Sequence, residues 1–565
     1  MTRRCSGRAL TQSGARLYTG TGLNAGSTGD WIISTSATIL PRAPSPTASR
    51  APWRREIVRD LVPVLVATRL LFLAITIALP LGRQALGLPP LILANKPADH
   101  ATGTVLDSWN QYDTLWYNDI AYLGYNVRGP QGYKNVAFFP LFPLLMRSTH
   151  DGLAFVDTAA RAVAGVPLNQ QPDPPYLLIG LLVSNFCTAA MLAFFYCLVK
   201  LDHGRVAARR AAALLAISPV SFYLFAAYTE STYLLCAIAC FYSLRVQRWL
   251  QAGLWGLLAA IARAPGAILV APFLMAWAEA HPATVHTINL RLRRLGRLCM
   301  MRLRLARAWL SGKLVSPGRV AAPASDPSLV LPLRFSRGVG AGHGLYRRGG
   351  NLRRTAAISA WRPSDDVRGA AETNVEARPW PEEARWALRH VLPAIVMPLG
   401  LVLFMVFLYV LFGDALWFSH AQKAWWRTFA PPWETLYLSI SAPLGYLLHG
   451  HYTPIGPAVH DLFYEIIGLA LTWFAWRRLP RTQGVYLWLV WGVILCSPAM
   501  LSDQVTGESH TDVLMSLPRL LLMMFPLFTY IATTLNRRWY AALLVFFGGA
   551  VIVYTVIFLS GGWIA

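Results

Sequence analysis

Runs of about 20 apolar residues recur along this chain, and that is the length one α-helix needs to cross the hydrocarbon core of a bilayer. Apolar residues make up 55% of the sequence and charged residues 14%, a balance too apolar for an ordinary soluble protein. The formal net charge of +24 is compatible with a nucleic-acid partner. However, the arginines cluster at the ends of the apolar runs, as the positive-inside rule requires of membrane proteins. We therefore expect an all-α polytopic membrane protein with no nucleic-acid partner.

The basic residues also set the direction of each crossing. Arg54, Arg55 and Arg59 precede the first run and place that end in the cytoplasm. Residues 252–278 are predicted to form two short helices broken at residues 263–266, because a single crossing would leave a strongly basic segment outside and because Pro and Gly break helices. The result is about eleven crossings with the C-terminus outside. The predicted crossings are residues 57–81, 176–199, 211–227, 231–244, 252–278 (counted twice), 391–412, 461–476, 485–501, 517–535 and 540–559.

The apolar runs divide the chain into four predicted parts. Residues 1–56 are expected to be a disordered cytoplasmic tail, and residues 57–280 an N-terminal membrane module with a first external loop at residues 82–175. Residues 281–389 are expected to be a cytoplasmic insertion whose basic, amphipathic start lies on anionic lipid headgroups and whose remainder is disordered. Residues 390–565 then form a C-terminal membrane module.

The first external loop holds a dense acidic and aromatic segment. Residues 107–125 carry three carboxylates and six aromatic side chains. If this segment is helical, Asp113 shares a face with Trp109 and Trp116, whereas Asp119 points elsewhere. An aromatic wall beside a carboxylate suits a sugar ring, but an interfacial belt of Trp and Tyr with solvated aspartates accounts for the same composition. Composition alone leaves both interpretations open.

Further polar residues fall at external or intramembrane positions. Glu230 lies at the outer end of a predicted helix, either as an exposed cap or as a catalytic group. Arg263 and Arg519 lie inside apolar runs, where an arginine either has an anionic partner, such as a lipid phosphate, or snorkels to the surface. A second external loop, residues 413–457, is rich in Trp, His and Pro. Motifs of the phosphate-loop, dinucleotide, zinc-protease and serine-hydrolase classes are absent from the sequence.

Four short motifs occur in a fixed order in the membrane portion. They are Y-D-T-L-W-Y-N-D-I-A-Y-L-G-Y at 112–125, A-F-F-P-L-F-P at 137–143, Y-T-E-S at 228–231 and A-R-A-P-G at 262–266. In this order they resemble the PIG-V family, the second mannosyltransferase of GPI-anchor assembly and its bacterial relatives, within the GT-C class of glycosyltransferases. Tyr112 stands where the family usually has Trp, so an aromatic residue is kept. The resemblance implies a GT-C-type helical bundle with a catalytic first external loop.

The resemblance also implies a reaction. It implies that mannose leaves a polyprenyl-phosphate donor at the non-cytoplasmic face and passes, with inversion, to a hydroxyl of a lipid or other acceptor, such as a glycan. One carboxylate must then accept the hydroxyl proton, and we assign this role of general base to Asp113. Arg263, Lys423 and Arg519 are the candidates for binding the donor phosphate, whose charge needs stabilisation as it leaves.

The remaining candidate residues concern substrate binding and metal. Asp119 and Glu230 are candidates for acceptor contacts or for a divalent cation, Mg²⁺ or Mn²⁺, although nothing in the sequence requires a cofactor. The predicted pocket for sugar and lipid is aromatic and consists of Tyr112, Trp116, Tyr117, Trp426 and Trp433. For the host membrane we favour a bacterial plasma membrane over the endoplasmic reticulum.

Two other classes of function are compatible with the sequence. A transporter or flippase of lipid-linked sugars also has broken helices and intramembrane arginines, although the sequence shows no convincing internal repeat. A membrane scaffold would use the basic residues 281–389 to recruit partners. Formation of a glycosidic product separates the transferase from both.

Overall fold

The computed structural model describes residues 51–88, 102–126, 135–164, 175–310, 380–425, 427–448, 455–499 and 513–562. Within these ranges the chain is helical, with one isolated β-bridge between Arg427 and Ala499. The α-helices of at least five residues are α1 (Ala51–Ala85), α2 (Asp113–Leu123), α3 (Leu141–Ala164), α4 (Tyr176–Ala216), α5 (Glu230–Arg245), α6 (Trp249–Ala262), α7 (Val270–Ala280), α8 (Pro282–Leu310), α9 (Trp380–Phe412), α10 (Pro432–Leu448), α11 (Ile455–Trp476), α12 (Arg481–Leu495), α13 (Leu517–Leu521), α14 (Pro526–Thr534) and α15 (Arg537–Leu559).

Five of the described helices, α1, α4, α9, α11 and α15, are long and apolar enough to cross a membrane. A sixth span results if the bent pair at Ala264–Ala280 and Thr284–Leu290 is counted as one. These helices expose large apolar side chains, such as Leu70 in α1 and Val410 in α9, as contact with hydrocarbon requires. The predicted all-α polytopic membrane protein is confirmed. The number of eleven crossings stays a prediction.

Helix α4 passes through a region for which the sequence predicts two spans and a loop. It continues without a loop to Ala216, with a break at Gly204, where φ is +78°, in the left-handed region that glycine tolerates best. The prediction of a continuous span over residues 211–227 is wrong, because α4 ends at Ala216 and a separate 3₁₀ turn, Ser221–Leu224, follows. Pro219 accounts for the end, since proline lacks an amide hydrogen and disfavours helical backbone in the preceding residue.

Two other apolar runs are broken. The predicted break at residues 263–266 is confirmed, because α6 ends at Ala262 and a 3₁₀ turn leads into α7. The backbone at Gly266 lies so close to α6 that a Cβ atom there would stand 2.2 Å from the carbonyl of Ala259. The prediction of one helix over residues 517–535 is wrong, because the run forms two short helices and the second, α14, starts at Pro526.

Helices also occupy segments predicted to be loops or tails. Helix α3 lies inside the predicted first external loop, and α10, which begins with a proline, lies inside the predicted loop at residues 413–457. Helix α1 begins at Ala51, inside the predicted tail, and α9 begins at Trp380, inside the predicted insertion at residues 281–389. The rest of the tail and residues 311–379, for which disorder is predicted, lie outside the described residues.

The two halves of the membrane portion pack against each other through close helix contacts. Helix α6 lies directly on α9, and glycines from both helices stand in the contact. A Cβ atom at Gly253 would lie 2.5 Å from that of Pro393, and one at Gly400 would lie 2.5 Å from the carbonyl of Leu257. Small residues of this kind let membrane helices approach closely. Helices α4 and α14, and α7 and α12, add further contacts between the halves.

Candidate active site

The chain turns at Tyr112, and Asp113 is the first residue of the helix that follows. A 3₁₀ turn, Val105–Trp109, ends in the buried Trp109, whose indole N–H donates to Oγ1 of Thr76 at 2.9 Å. Tyr112 then has a φ of +49°, and α2 begins at Asp113. The predicted helical face shared by Trp109 and Asp113 is therefore wrong, because the anchoring of Trp109 in the core separates the two residues into different elements.

Asp113 is held by groups from two distant parts of the chain. Its backbone N–H donates to the hydroxyl of Tyr228 at 3.3 Å. Its Oδ2 forms an ion pair with Nη1 of Arg519 at 2.6 Å. The position at the first turn of α2 also favours a carboxylate, because the helix dipole is positive at that end. The side chain is 14% exposed, and its ion pair uses Oδ2 rather than Oδ1.

Glu230 is a buried carboxylate that binds two arginines. It is the first residue of α5 and is 1% exposed. Its Oε1 accepts from Nε of Arg519 at 2.5 Å and from Nη1 of Arg263. The alternative of an exposed cap is therefore wrong for Glu230. Both arginines that lie inside apolar runs have an internal anionic partner, as a charge at such depth requires.

Arg519 is the centre of this ion network. It bridges Asp113 and Glu230, and its guanidinium also lies over two aromatic rings, 4.8 Å from the ring centre of Tyr228 and 5.1 Å from that of Tyr223. Its side chain is 7% exposed. The short helix α13, which follows Ser516 with a φ of +72°, points the arginine back toward α2 and α5.

The ion network forms one wall of a cavity of about 250 Å³. The cavity is lined by polar residues and by aromatic and aliphatic side chains. Its lining includes Asp113, Tyr117, Phe138, Phe139, Arg263, Gln422, Arg427, Val493, Ser497, Met515, Arg519 and Leu520. Asp113 supplies the single carboxylate among the lining residues that the structure describes, whereas three arginines line it. With Glu230 behind the wall, the three guanidiniums and two carboxylates leave one positive charge.

Arg427 belongs to this cavity although it carries no assigned role in the sequence-based predictions. Its Nη1 donates to the carbonyl of Ser497 at 3.1 Å, and its Nη2 donates to that of Met515 at 2.7 Å. Its backbone pairs with Ala499. In the sequence, Arg427 is an arginine in a loop that is dense in Trp and Pro. Such a position is equally compatible with a residue that lines a cavity and with a residue on the surface.

Some predicted pocket residues lie in or beside the cavity. Tyr117 lines it, and burial raises the pKa of its hydroxyl above the ordinary range, so the group stays neutral and able to donate. Trp116 stacks on Phe138, a lining residue, with ring centres 5.7 Å apart. Tyr112 instead packs toward the end of α15, where its hydroxyl donates to the carbonyl of Gly561 at 2.5 Å.

Other predicted site residues do not line the cavity. Asp119 accepts from Nδ2 of Asn135 at 3.2 Å and so ties α2 to the following segment. Lys423 is exposed, and Trp433 is 72% exposed at the start of α10. Trp426 lies outside the described residues.

The carboxylates do not gather as metal ligands. No group of three or more His, Cys, Asp or Glu side chains comes together for a metal ion within the described ranges. One oxygen of Glu230 is occupied by two guanidiniums, and Asp119 faces Asn135. Binding of Mg²⁺ or Mn²⁺ stays a prediction.

In the described part of the chain, one carboxylate and three guanidiniums line a cavity between apolar helices, and charged groups at such positions ordinarily mark a functional site. The family of mannosyltransferases described as Mannosyltransferase (PIG-V) matches residues 56–306. The predicted similarity to PIG-V mannosyltransferases is thereby confirmed over that range, and the protein is a mannosyl-transferring glycosyltransferase with a sugar donor and an acceptor. No curated protein and no solved structure matches the chain. Asp113, Glu230 and Arg263 lie within the matched residues.

Proposed function

We propose that this protein transfers mannose from a polyprenyl-phosphate-mannose donor to the hydroxyl of a lipid or glycan acceptor, with inversion, at the non-cytoplasmic face of the membrane. The observation that carries the proposal is the cavity in which Asp113 stands beside Arg263, Arg427 and Arg519. A base for an incoming hydroxyl and cations for a leaving phosphate are the two groups this reaction needs.

In the proposed step the acceptor oxygen bonds to C1 of mannose while the bond from C1 to the phosphate oxygen breaks. The acceptor proton passes to Oδ1 of Asp113. The electron pair of the broken bond stays on the lipid phosphate, which leaves with one more negative charge than it had in the donor. Because this charge develops next to preorganised guanidiniums, they stabilise the transition state electrostatically.

The roles of the arginines differ in this proposal. Arg427 lines the cavity and is held there by two backbone carbonyls, which makes it the first candidate for the phosphate. Arg519 holds Oδ2 of Asp113 and fixes the direction of Oδ1. Glu230 is a positioning residue, because it lies behind the cavity wall and orients Arg263 and Arg519. Tyr117 is placed to donate to a sugar hydroxyl.

The proposal is tested with the purified protein in proteoliposomes. Labelled polyprenyl-phosphate-mannose is offered with extracted membrane lipids and glycans as acceptors, and the anomeric configuration of the product is determined by NMR. We expect a glycosidic product of configuration opposite to that of the donor. Transfer from nucleotide-activated mannose with none from the lipid-linked donor would reject the donor class, and movement of label across the bilayer without product would support a transporter instead.

The proposed side of the membrane is tested separately. Single cysteines at exposed positions of α2 and α8 are labelled with a membrane-impermeant thiol reagent in intact cells. We expect labelling near α2 and none on α8 until the cells are opened. The reverse pattern would place the cavity on the cytoplasmic side.

A further inference from the structure

Helix α8 is joined to the membrane bundle at a sharp bend. The helical segments Ala264–Ala280 and Thr284–Leu290 meet at 107°, close to a right angle. The first of them ends in α7, an apolar helix that packs on α9 and α12. Helix α8 therefore turns away from the bundle, and at about 1.5 Å per residue its 29 residues extend over roughly 43 Å.

The bend lies at the end of α9 that is remote from the cavity. The ring of His281, the residue between α7 and α8, has its centre 5.6 Å from that of His390. His390 is the second residue of the apolar span Arg389–Phe412 in α9. Toward the other end of that span, Phe404 packs on Phe139, which lines the cavity, with ring centres 4.8 Å apart. Helix α8 thus starts where the span α9 meets one surface of the membrane, and the cavity lies toward the other surface.

One side of α8 carries a row of exposed apolar side chains. Ile288, Leu292 and Leu303 follow one another at spacings of four and eleven residues, which fall on one face of a helix. They are 38%, 58% and 61% exposed. Among the described elements, α8 packs mainly on its neighbour α7. An exposed apolar row on a helix of this length indicates an interaction with an apolar surface.

The two sides next to the apolar row are basic. The sequence of α8 contains seven arginines and no Asp or Glu. The exposed Arg293, Arg297 and Arg304 lie on one side of the row, and the exposed Arg302 lies on the other. Arginines in such positions extend their guanidiniums to the level of lipid phosphates while the apolar row contacts the acyl chains. The surface therefore fits a partner that has an apolar interior and anionic groups at its edge.

We propose that α8 lies along the membrane surface at the end of the bundle opposite the cavity and binds the anionic phospholipids of that leaflet. Its apolar row inserts below the headgroups, and its arginines contact the phosphates. A bilayer fits this helix better than a second protein does, because the bend already directs α8 away from the bundle at the membrane boundary. A bilayer also offers apolar chains and phosphates along the whole length of the helix. The proposal does not depend on the transfer reaction proposed above.

The test uses the full-length protein in lipid vesicles, with its seven native cysteines replaced by alanine. A nitroxide label is attached to Leu292→Cys in the apolar row or to Arg297→Cys on the basic side. Electron paramagnetic resonance measures how often each label collides with oxygen, which concentrates in the bilayer, and with a water-soluble nickel chelate. In vesicles of phosphatidylcholine with phosphatidylglycerol, we expect the first label to collide mainly with oxygen and the second with the chelate. In about 1 M salt, where the Debye length is about 3 Å, the difference between the labels should shrink.

A charge variant shows what attracts the helix to the surface. Arg293, Arg297 and Arg304 are changed to Gln together in the protein labelled at Leu292→Cys. We expect the ratio of bound to unbound α8 to fall by about 100-fold in phosphatidylglycerol vesicles, since each basic residue near an anionic surface contributes roughly fivefold. The matched control changes the same three residues to Lys, which keeps the charge and should keep α8 on the membrane.

Equal collision of both labels with the nickel chelate in phosphatidylglycerol vesicles would overturn the proposal. Protection of the Leu292→Cys label from both reagents would also overturn it, because protein, such as a second copy of the chain, would then cover the apolar row. If the cysteine-free protein does not fold, a photoreactive benzoylphenylalanine at position 292 of the native sequence decides the question. We then expect adducts with phosphatidylglycerol, and adducts with protein alone, or none with lipid, would reject the proposal.

Discussion

Two stretches of chain build the cavity, and they bring charges of opposite sign to it. The stretch that matches the PIG-V family supplies two carboxylates and one arginine, Asp113, Glu230 and Arg263. Among the described residues beyond residue 380, the charged side chains that line the cavity are Arg427 and Arg519. Neither set balances its own charge. The difference teaches that the ion network both assembles the site and joins the two stretches, in addition to the glycine contacts of α6 with α9.

The largest expected effect concerns the proposed base, Asp113, which belongs to the first stretch. Asp113→Asn keeps the shape of the side chain but removes the proton acceptor, and we expect kcat to fall by about 10²–10⁴-fold with the protein still folded. Mannosyl transfer from the lipid-linked donor is the measurement. Asp119→Asn is the matched control six residues later on the same helix, because Asp119 bonds Asn135 and does not line the cavity. A loss in the control as large as in Asp113→Asn would contradict the assignment.

The next effect concerns the arginine that joins the two stretches. Arg519→Gln leaves Asp113 and Glu230 without their shared cation in a buried site, and breaking such a pair costs about 3–5 kcal/mol of stability. We expect a lower thermal midpoint in detergent and loss of transfer.

A double variant separates charge from packing in this network. Arg519→Gln with Glu230→Gln removes one buried cation and one buried anion together, so we expect part of the lost stability to return while transfer stays absent. Additive losses of stability in the double variant would show that the two residues do not act as a pair. The ion network would then not be what joins the two stretches.

A smaller effect is expected for Arg427, the other arginine of the second stretch. Arg427→Gln removes a cation from the cavity, so we expect the KM for the lipid-linked donor to rise by about tenfold, as for loss of one charged hydrogen bond. The KM for the acceptor should not change. Lys423→Gln is the control, four residues earlier and exposed, and should leave both values unaltered. A change confined to the acceptor would move Arg427 to the acceptor side of the site.

The sequence predicts the class of fold and the break between α6 and α7, for identifiable reasons. Apolar length and arginine placement predict a polytopic helical protein, and Pro265 with Gly266 predicts the broken helix. The ion network is beyond such reasoning, because Glu230 and Arg519 are 289 residues apart and only tertiary packing brings them together.

The smallest effect concerns a contact between the two stretches that lies away from the chemistry. The hydroxyl of Tyr112 donates to the carbonyl of Gly561 in an exposed position, so Tyr112→Phe should lower stability by no more than the low end of about 0.5–1.5 kcal/mol. The matched control is Tyr125→Phe, whose hydroxyl donates to the carbonyl of Phe138 within the first stretch. We expect small shifts of the thermal midpoint for both variants and an unchanged kcat for Tyr112→Phe. A large fall in kcat without a fall in stability would mean that this contact serves the reaction. Tyr112 would then belong with the residues of the reaction rather than with the contacts that join the two stretches.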